Sequence, residues 1–158
     1  PYAVRVARRL AERFPEHADE MAVDDEGDLW LEIDCPSYSV EAGLWIGTWN
    51  EDVIVGFHTH HAHFSDWERS GTDDHIETAM DAARDVLAER LVVVSRYTRV
   101  PLRGSGWLAG STYWDRPEGA LAERRRSERS IRSRLGLREV TLRSWDGRYD
   151  AGLLPTGG

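Results

Sequence analysis

Four of the six histidines fall in one short run, His58-Thr59-His60-His61-Ala62-His63. The pairs His58/His60 and His61/His63 have the i, i+2 spacing that turns two imidazoles to the same side of an extended chain. Neutral imidazole is a common zinc ligand, so either pair could point at one ion. Downstream lies Ser70-Gly71-Thr72-Asp73, and the whole segment reads as His-x-His followed by Ser-x-x-Asp. The competing reading is a wet strand end and loop, whose histidines bind nothing and whose Phe64 and Trp67 fold back onto the body. For the histidines taken one at a time, this second reading is the expectation.

The run from His58 to Asp73 resembles the zinc motif of JAMM-type metalloproteases, which remove ubiquitin-like modifiers or cleave related substrates. The resemblance implies His58, His60 and Asp73 as zinc ligands, Ser70 as a residue shaping the site, and Glu32, Glu41 or Glu51 as general base. Three protein ligands leave zinc an open position where bound water is acidified to roughly neutral pH. The interval from His60 to Ser70 is longer than in that family, and His61 stands where the family carries proline. His61-x-His63 with Glu68 also resembles the first metal motif of the cupins, but no histidine follows His75 to complete a second one.

The seven tryptophans supply a different kind of surface. Gly43 to Trp49 and Val53 to His58 read as two strands of a hairpin around Asn50-Glu51. With that turn, Trp49 faces Asp52, Trp45 faces Gly56 and Leu44 faces Phe57. Leu44, Ile46, Val53, Val55 and Phe57 then belong to the core. Trp45, Trp49, Ile54 and His58 lie on the other face, where Gly47 and Gly56 give the rings room. From Asp28 to Asp34 the chain also alternates, so Trp30, Glu32 and Asp34 share one side of a further strand. Trp30, Trp45 and Trp49, bordered by Glu32, Asp34, Glu51 and Asp52 and continued through His61, His63 and Trp67, form the candidate binding surface. Tryptophans are favoured anchors, and an acidic rim speeds capture of a basic partner. The alternative is that a helix or a second protomer covers these rings.

The elements that must position these residues follow from periodicity. Ala3, Ala7, Leu10, Ala11 and Phe14 mark a surface helix stopped by Pro15, and Ile76 to Leu87 mark a second helix, with Asp74 and Glu77 as its capping start. Residues 59–72 read as a His-rich connection. Leu91 to Tyr97 is a continuous β-branched run suited to an interior strand, and Trp107 to Trp114 is another strand beyond a Pro/Gly loop at 101–106. Glu118 to Leu135 reads as an Arg-rich, mostly solvated helix ended by Gly136. Arg138 to Trp145 alternates again, Asp146-Gly147 turns the chain, and a loose tail is expected from about residue 151. The expected fold is one α+β domain over 1–158: two layers, a mainly antiparallel sheet of five to six strands, and helices chiefly on one face.

At 158 residues, 41% hydrophobic and 30% charged, the chain has the composition of one globular domain. No apolar run is long enough to span a membrane, and the single Cys35 excludes an internal disulfide and a zinc site of paired thiolates. A cytoplasmic location is the expectation. All 20 basic residues are Arg, which we read as the codon bias of a GC-rich, bacterial genome. The net charge of −8 conceals a division: residues 1–95 hold 21 acids against 7 Arg, net −14, and residues 96–158 hold 13 Arg against 7 acids, net +6. The two halves are expected either to neutralise each other or to present a charged surface to a partner. Arg124, Arg125, Arg126, Arg129, Arg132 and Arg134 could touch phosphates, but no nucleic-acid motif accompanies them, so nucleic acid is not the expected partner.

The runs Gly43–Phe57, His63-Phe64, Leu87–Val94 and Arg143–Asp150 resemble small bacterial proteins of polymorphic or contact-dependent toxin systems. That resemblance implies an acidic single-domain immunity protein that binds and blocks its cognate toxin. The expectation is therefore a protein without catalysis, metal or cofactor that neutralises a basic toxin, such as a nuclease. The alternatives are a zinc hydrolase using His58, His60 and Asp73, and a homo-oligomer whose interface buries the tryptophans.

Overall fold

Leu29, Leu31 and Ile33 alternate with Trp30 and Glu32, and in the computed structural model this segment is a strand buried on one side and exposed on the other. The structure describes residues 2–36, 43–66, 72–99, 107–130 and 138–152. Five strands form an antiparallel meander in chain order: β1 (Ala22–Val23), β2 (Leu29–Ile33), β3 (Leu44–Trp49), β4 (Asp52–Phe57) and β5 (His60–Phe64). The β3–β4 register runs from Trp49↔Asp52 to Leu44↔Phe57, as the two-residue turn requires. Asn50 and Glu51 both take positive φ, 50° and 64°, the backbone handedness that suits strand twist in such hairpins.

Helices α1 (Tyr2–Arg13) and α2 (Asp74–Leu87) cover one face of this sheet. Val6 and Leu10 of α1 and Ile76, Met80 and Ala83 of α2 join Leu31, Ile46, Val55 and Phe57 in one buried cluster. The two helices run side by side in the same direction. Arg5 pairs with Asp73 at 3.3 Å, Arg9 with Glu77 at 3.4 Å, and Arg13 with Asp81 at 3.8 Å as well as with Glu77 at 2.7 Å, so equal four-residue steps bring successive turns together. The capping start differs from the sequence reading: Asp73 is the N-cap, with no side-chain cap hydrogen bond, and Glu77 is committed to α1.

The remaining strands form a second antiparallel sheet, with β6 (Val92–Arg99) between β7 (Trp107–Asp115) and β8 (Arg138–Arg143). Val93 points into the first core, whereas Val92 and Val94 pack with Val140, Leu142 and Ala120 of α3 (Pro117–Glu128). Burial on both faces is why this strand reads as a continuous apolar run. The sheets adjoin at β5, where the His60 ring meets Trp114 edge-on at 5.1 Å and the Thr59 and Ser95 hydroxyls lie 3.2 Å apart. The α+β class and the antiparallel layer agree with expectation, but the strands divide between two sheets because β5 and β7 are not paired.

Three segments correct the sequence reading. His60–Phe64 is a strand rather than part of a connection, because Ala62 and Phe64 fall opposite Val55 and Val53 on the core side while His61 and His63 face outward. Helix α3 ends at Glu128, short of Leu135; residues 131–137 and the loop at 101–106 lie outside the described residues. Of the tail expected to be loose from about residue 151, residues 153–158 lie outside the described residues, whereas Ala151 and Gly152 are held. Ala151 bridges Leu142, and the buried Arg143 guanidinium donates to the carbonyls of Ala151 at 3.1 Å and Gly152 at 3.3 Å. Among the described residues no helix is long and apolar enough to cross a membrane.

Candidate functional site

Every residue facing away from α1 and α2 on the five-stranded sheet is fixed by register. Trp30, Gly47, Ile54 and His63 form one row across β2 to β5, and Glu32, Trp45, Gly56 and His61 form the next. Trp49 and Asp52 face each other at the hairpin end. Strand β5 brings His61 and His63 onto the same face as the tryptophans.

The rings lie flat because glycines stand beneath them. A Cβ at Gly47 would come within 3.2 Å of the Trp30 ring, and one at Gly56 would overlap the indole of Trp45. Trp30 and Trp45 are stacked, with centroids 5.0 Å apart and planes 13° from parallel. The row continues to His61, 6.1 Å from Trp45, and to His63, 5.3 Å from His61. Trp30 is 47% exposed and Trp49 57%, so large aromatic surface faces solvent, and no described element covers it. Exposed tryptophan clusters of this kind mark interaction sites more often than ordinary surface.

Carboxylates edge the aromatic row. Glu32 is the cross-strand neighbour of Trp45 and stands two residues from Trp30 on the same side of β2. Glu32, Asp34 and Glu51 are exposed and, among the described residues, make no hydrogen bond or ion pair. Asp52 accepts from Ser65 Oγ at 2.5 Å and lies 3.4 Å from His63 Nδ1. Trp67 lies outside the described residues.

The histidines divide between environments. His60 points to the opposite side of β5, toward Trp114, and burial together with the adjacent His61 pushes its pKa below the ordinary imidazole value. His58, which alternation placed on the tryptophan face, falls just beyond β4 and enters the β4–β5 turn with φ 54°. Asp73 sits at the start of α2, 3.3 Å from Arg5. Among the described residues no group of three His, Cys, Asp or Glu side chains is placed to hold a metal. Ser70 and Glu41 lie outside the described residues. Cys35 donates to the Trp145 carbonyl at 3.0 Å.

Among the described residues, ion pairs form largely within each half. Arg5, Arg9 and Arg13 pair with acids of α2, Arg96 pairs with Glu123 at 2.5 Å, and Arg124 pairs with Glu128 at 2.8 Å. Arg148 with Glu89, at 3.6 Å, links the halves. Tyr113 also donates to Glu123 and has its pKa pushed up to about 12, first by burial and then by that hydrogen bond.

In comparison with known proteins, the chain matches no family model, no curated protein and no solved structure.

Proposed function

We propose that this chain is a binding protein of immunity type, working in the bacterial cytoplasm, that captures and blocks a basic toxin protein on the open face of its five-stranded sheet. The observation that carries the reading is the pair Trp30 and Trp45, laid flat over Gly47 and Gly56, with unpaired Glu32 beside them and Trp49 exposed nearby. Aromatic anchors supply contact area at little cost in side-chain entropy, and the carboxylates select a basic partner and speed its approach. The resemblance of Gly43–Phe57 and the later runs to immunity proteins points to the same class.

The test is association between the purified chain and the purified product of the gene beside its own. A one-to-one complex is expected, with Trp30→Ala and Trp49→Ala weakening it. Absence of association at low salt overturns the reading. So does a stable dimer of the chain at dilute concentration that loses its interface in the same two variants.

A further inference from the structure

The chemistry of the open face narrows the partner further. From Phe14 to Glu68, the stretch that builds this sheet, the chain carries fourteen carboxylates and neither Arg nor Lys. Asp73, Glu77 and Asp81 pair with arginines of α1, but among the described residues no arginine pairs with Glu32 or Glu51 beside the tryptophans. Phosphate groups are repelled by such a surface, whereas cations are drawn to it.

We infer that this face binds guanidinium groups: two arginine side chains of the basic partner seat on it, one on Trp30 beside Glu32 and one on Trp49 beside Asp52 and Glu51. This rests on the binding-protein reading and names what is bound. Three observations converge. Trp30 and Trp49 are about half exposed, 47% and 57%, so each retains ring surface for a planar cation. Each has a carboxylate alongside, Glu32 two residues along β2 and Asp52 directly opposite on β4. A guanidinium can therefore stack and form a charge-assisted hydrogen bond together, which an ammonium cannot match. Trp49 is the diagonal neighbour of Trp30 across the β2–β3 pair, a separation of about 7–8 Å. That spacing is close to the roughly 6.8 Å between alternate residues of an extended strand, so one arginine-bearing segment can fill both seats.

The probe is an amidated hexa-arginine peptide titrated into the intact chain at low salt, followed by tryptophan fluorescence and calorimetry, beside its lysine counterpart and a single-stranded oligothymidylate. The arginine peptide is expected to bind about tenfold more tightly than the lysine peptide, and Trp30→Ala and Glu32→Gln each to weaken it about five- to thirtyfold. Circular dichroism checks that each variant is folded, and Trp30→Phe is expected to restore part of the loss. Equal affinity for the two peptides, insensitivity to Trp30→Ala and Trp49→Ala together, or tighter binding of the oligothymidylate overturns the inference. Failure of the broader reading looks different. If the neighbouring gene product binds through Trp30 but the arginine peptide does not compete, the guanidinium assignment fails alone. If the peptide binds as expected and that gene product does not, the assignment stands and the immunity reading fails.

Discussion

Gly56→Ala tests the geometry of the aromatic face with a single methyl group. The added Cβ falls within the space of the Trp45 indole, on the five-membered and six-membered rings alike, so the ring must lift from β4. A buried tryptophan covers about 150–250 Å², and losing roughly 100 Å² of that contact costs about 2.5 kcal/mol at about 25 cal/mol per Å². Weakened stacking on Trp30 adds about 1 kcal/mol, whereas alanine in a strand recovers about 0.5–1 kcal/mol relative to glycine. The net expectation is a loss of about 2–3 kcal/mol, or roughly 5–10 °C in Tm for a chain of this size. Urea denaturation of Gly56→Ala, Trp45→Ala and the double variant completes a cycle. The glycine substitution should be nearly neutral once the indole is gone, giving a coupling of about 2 kcal/mol. A loss below about 0.5 kcal/mol, or the same loss with and without Trp45, refutes the flat-laid arrangement.

Glu51→Gly should stabilise the hairpin by about 1 kcal/mol, because Glu51 holds φ 64° and glycine bears no penalty there; a lower Tm contradicts the turn geometry. Phe57→Ala, at a fully buried position, should cost about 3–5 kcal/mol by chemical denaturation, and a cost below about 1.5 kcal/mol would place Phe57 outside the core. The lowered pKa of His60 means that, as pH falls below the ordinary value of 6.5, the unfolded chain takes up a proton the folded chain refuses, so stability declines toward the lowered pKa. His60→Phe keeps an aromatic ring against Trp114 and should shrink the Tm difference between neutral pH and about pH 5.5; an unchanged difference sinks this account. Elemental analysis of the purified protein is expected to find zinc well below one per chain, whereas one zinc lost on His58→Ala and His60→Ala would favour the hydrolase.

Much of the site was legible because its strands obey period two. Leu44, Ile46, Val53 and Val55 alternate with Trp45, Gly47, Ile54 and Gly56, and Asn50-Glu51 fixes a single register, so Gly47 and Gly56 could be placed on the tryptophan side, where they give the rings room. Strand β5 was missed because three of its five residues are histidines, which carry no strong strand preference. Its signal was Ala62 and Phe64 at alternate positions, a pattern too short to outweigh the polar residues around it. The anchoring of Ala151 and Gly152 was also hidden, since a buried arginine donating to backbone carbonyls leaves no pairing pattern in sequence.

The sequence by itself determined the helices on α1 and α2, the hairpin and which side of it is apolar, because those depend on neighbours a few residues apart. It also determined the absence of Arg and Lys from Phe14 to Glu68. Only the tertiary structure decided that His61 and His63 join the tryptophans while His60 turns to the second sheet. Only it decided that the strands split into two sheets with β6 buried between two cores. It also showed that the arginines of α1 pair with Asp73, Glu77 and Asp81, while Glu32 and Glu51 have no ion pair among the described residues. Those outcomes depend on long-range register and on which faces are covered, and free energy summed over distant contacts, rather than local preference, selects them.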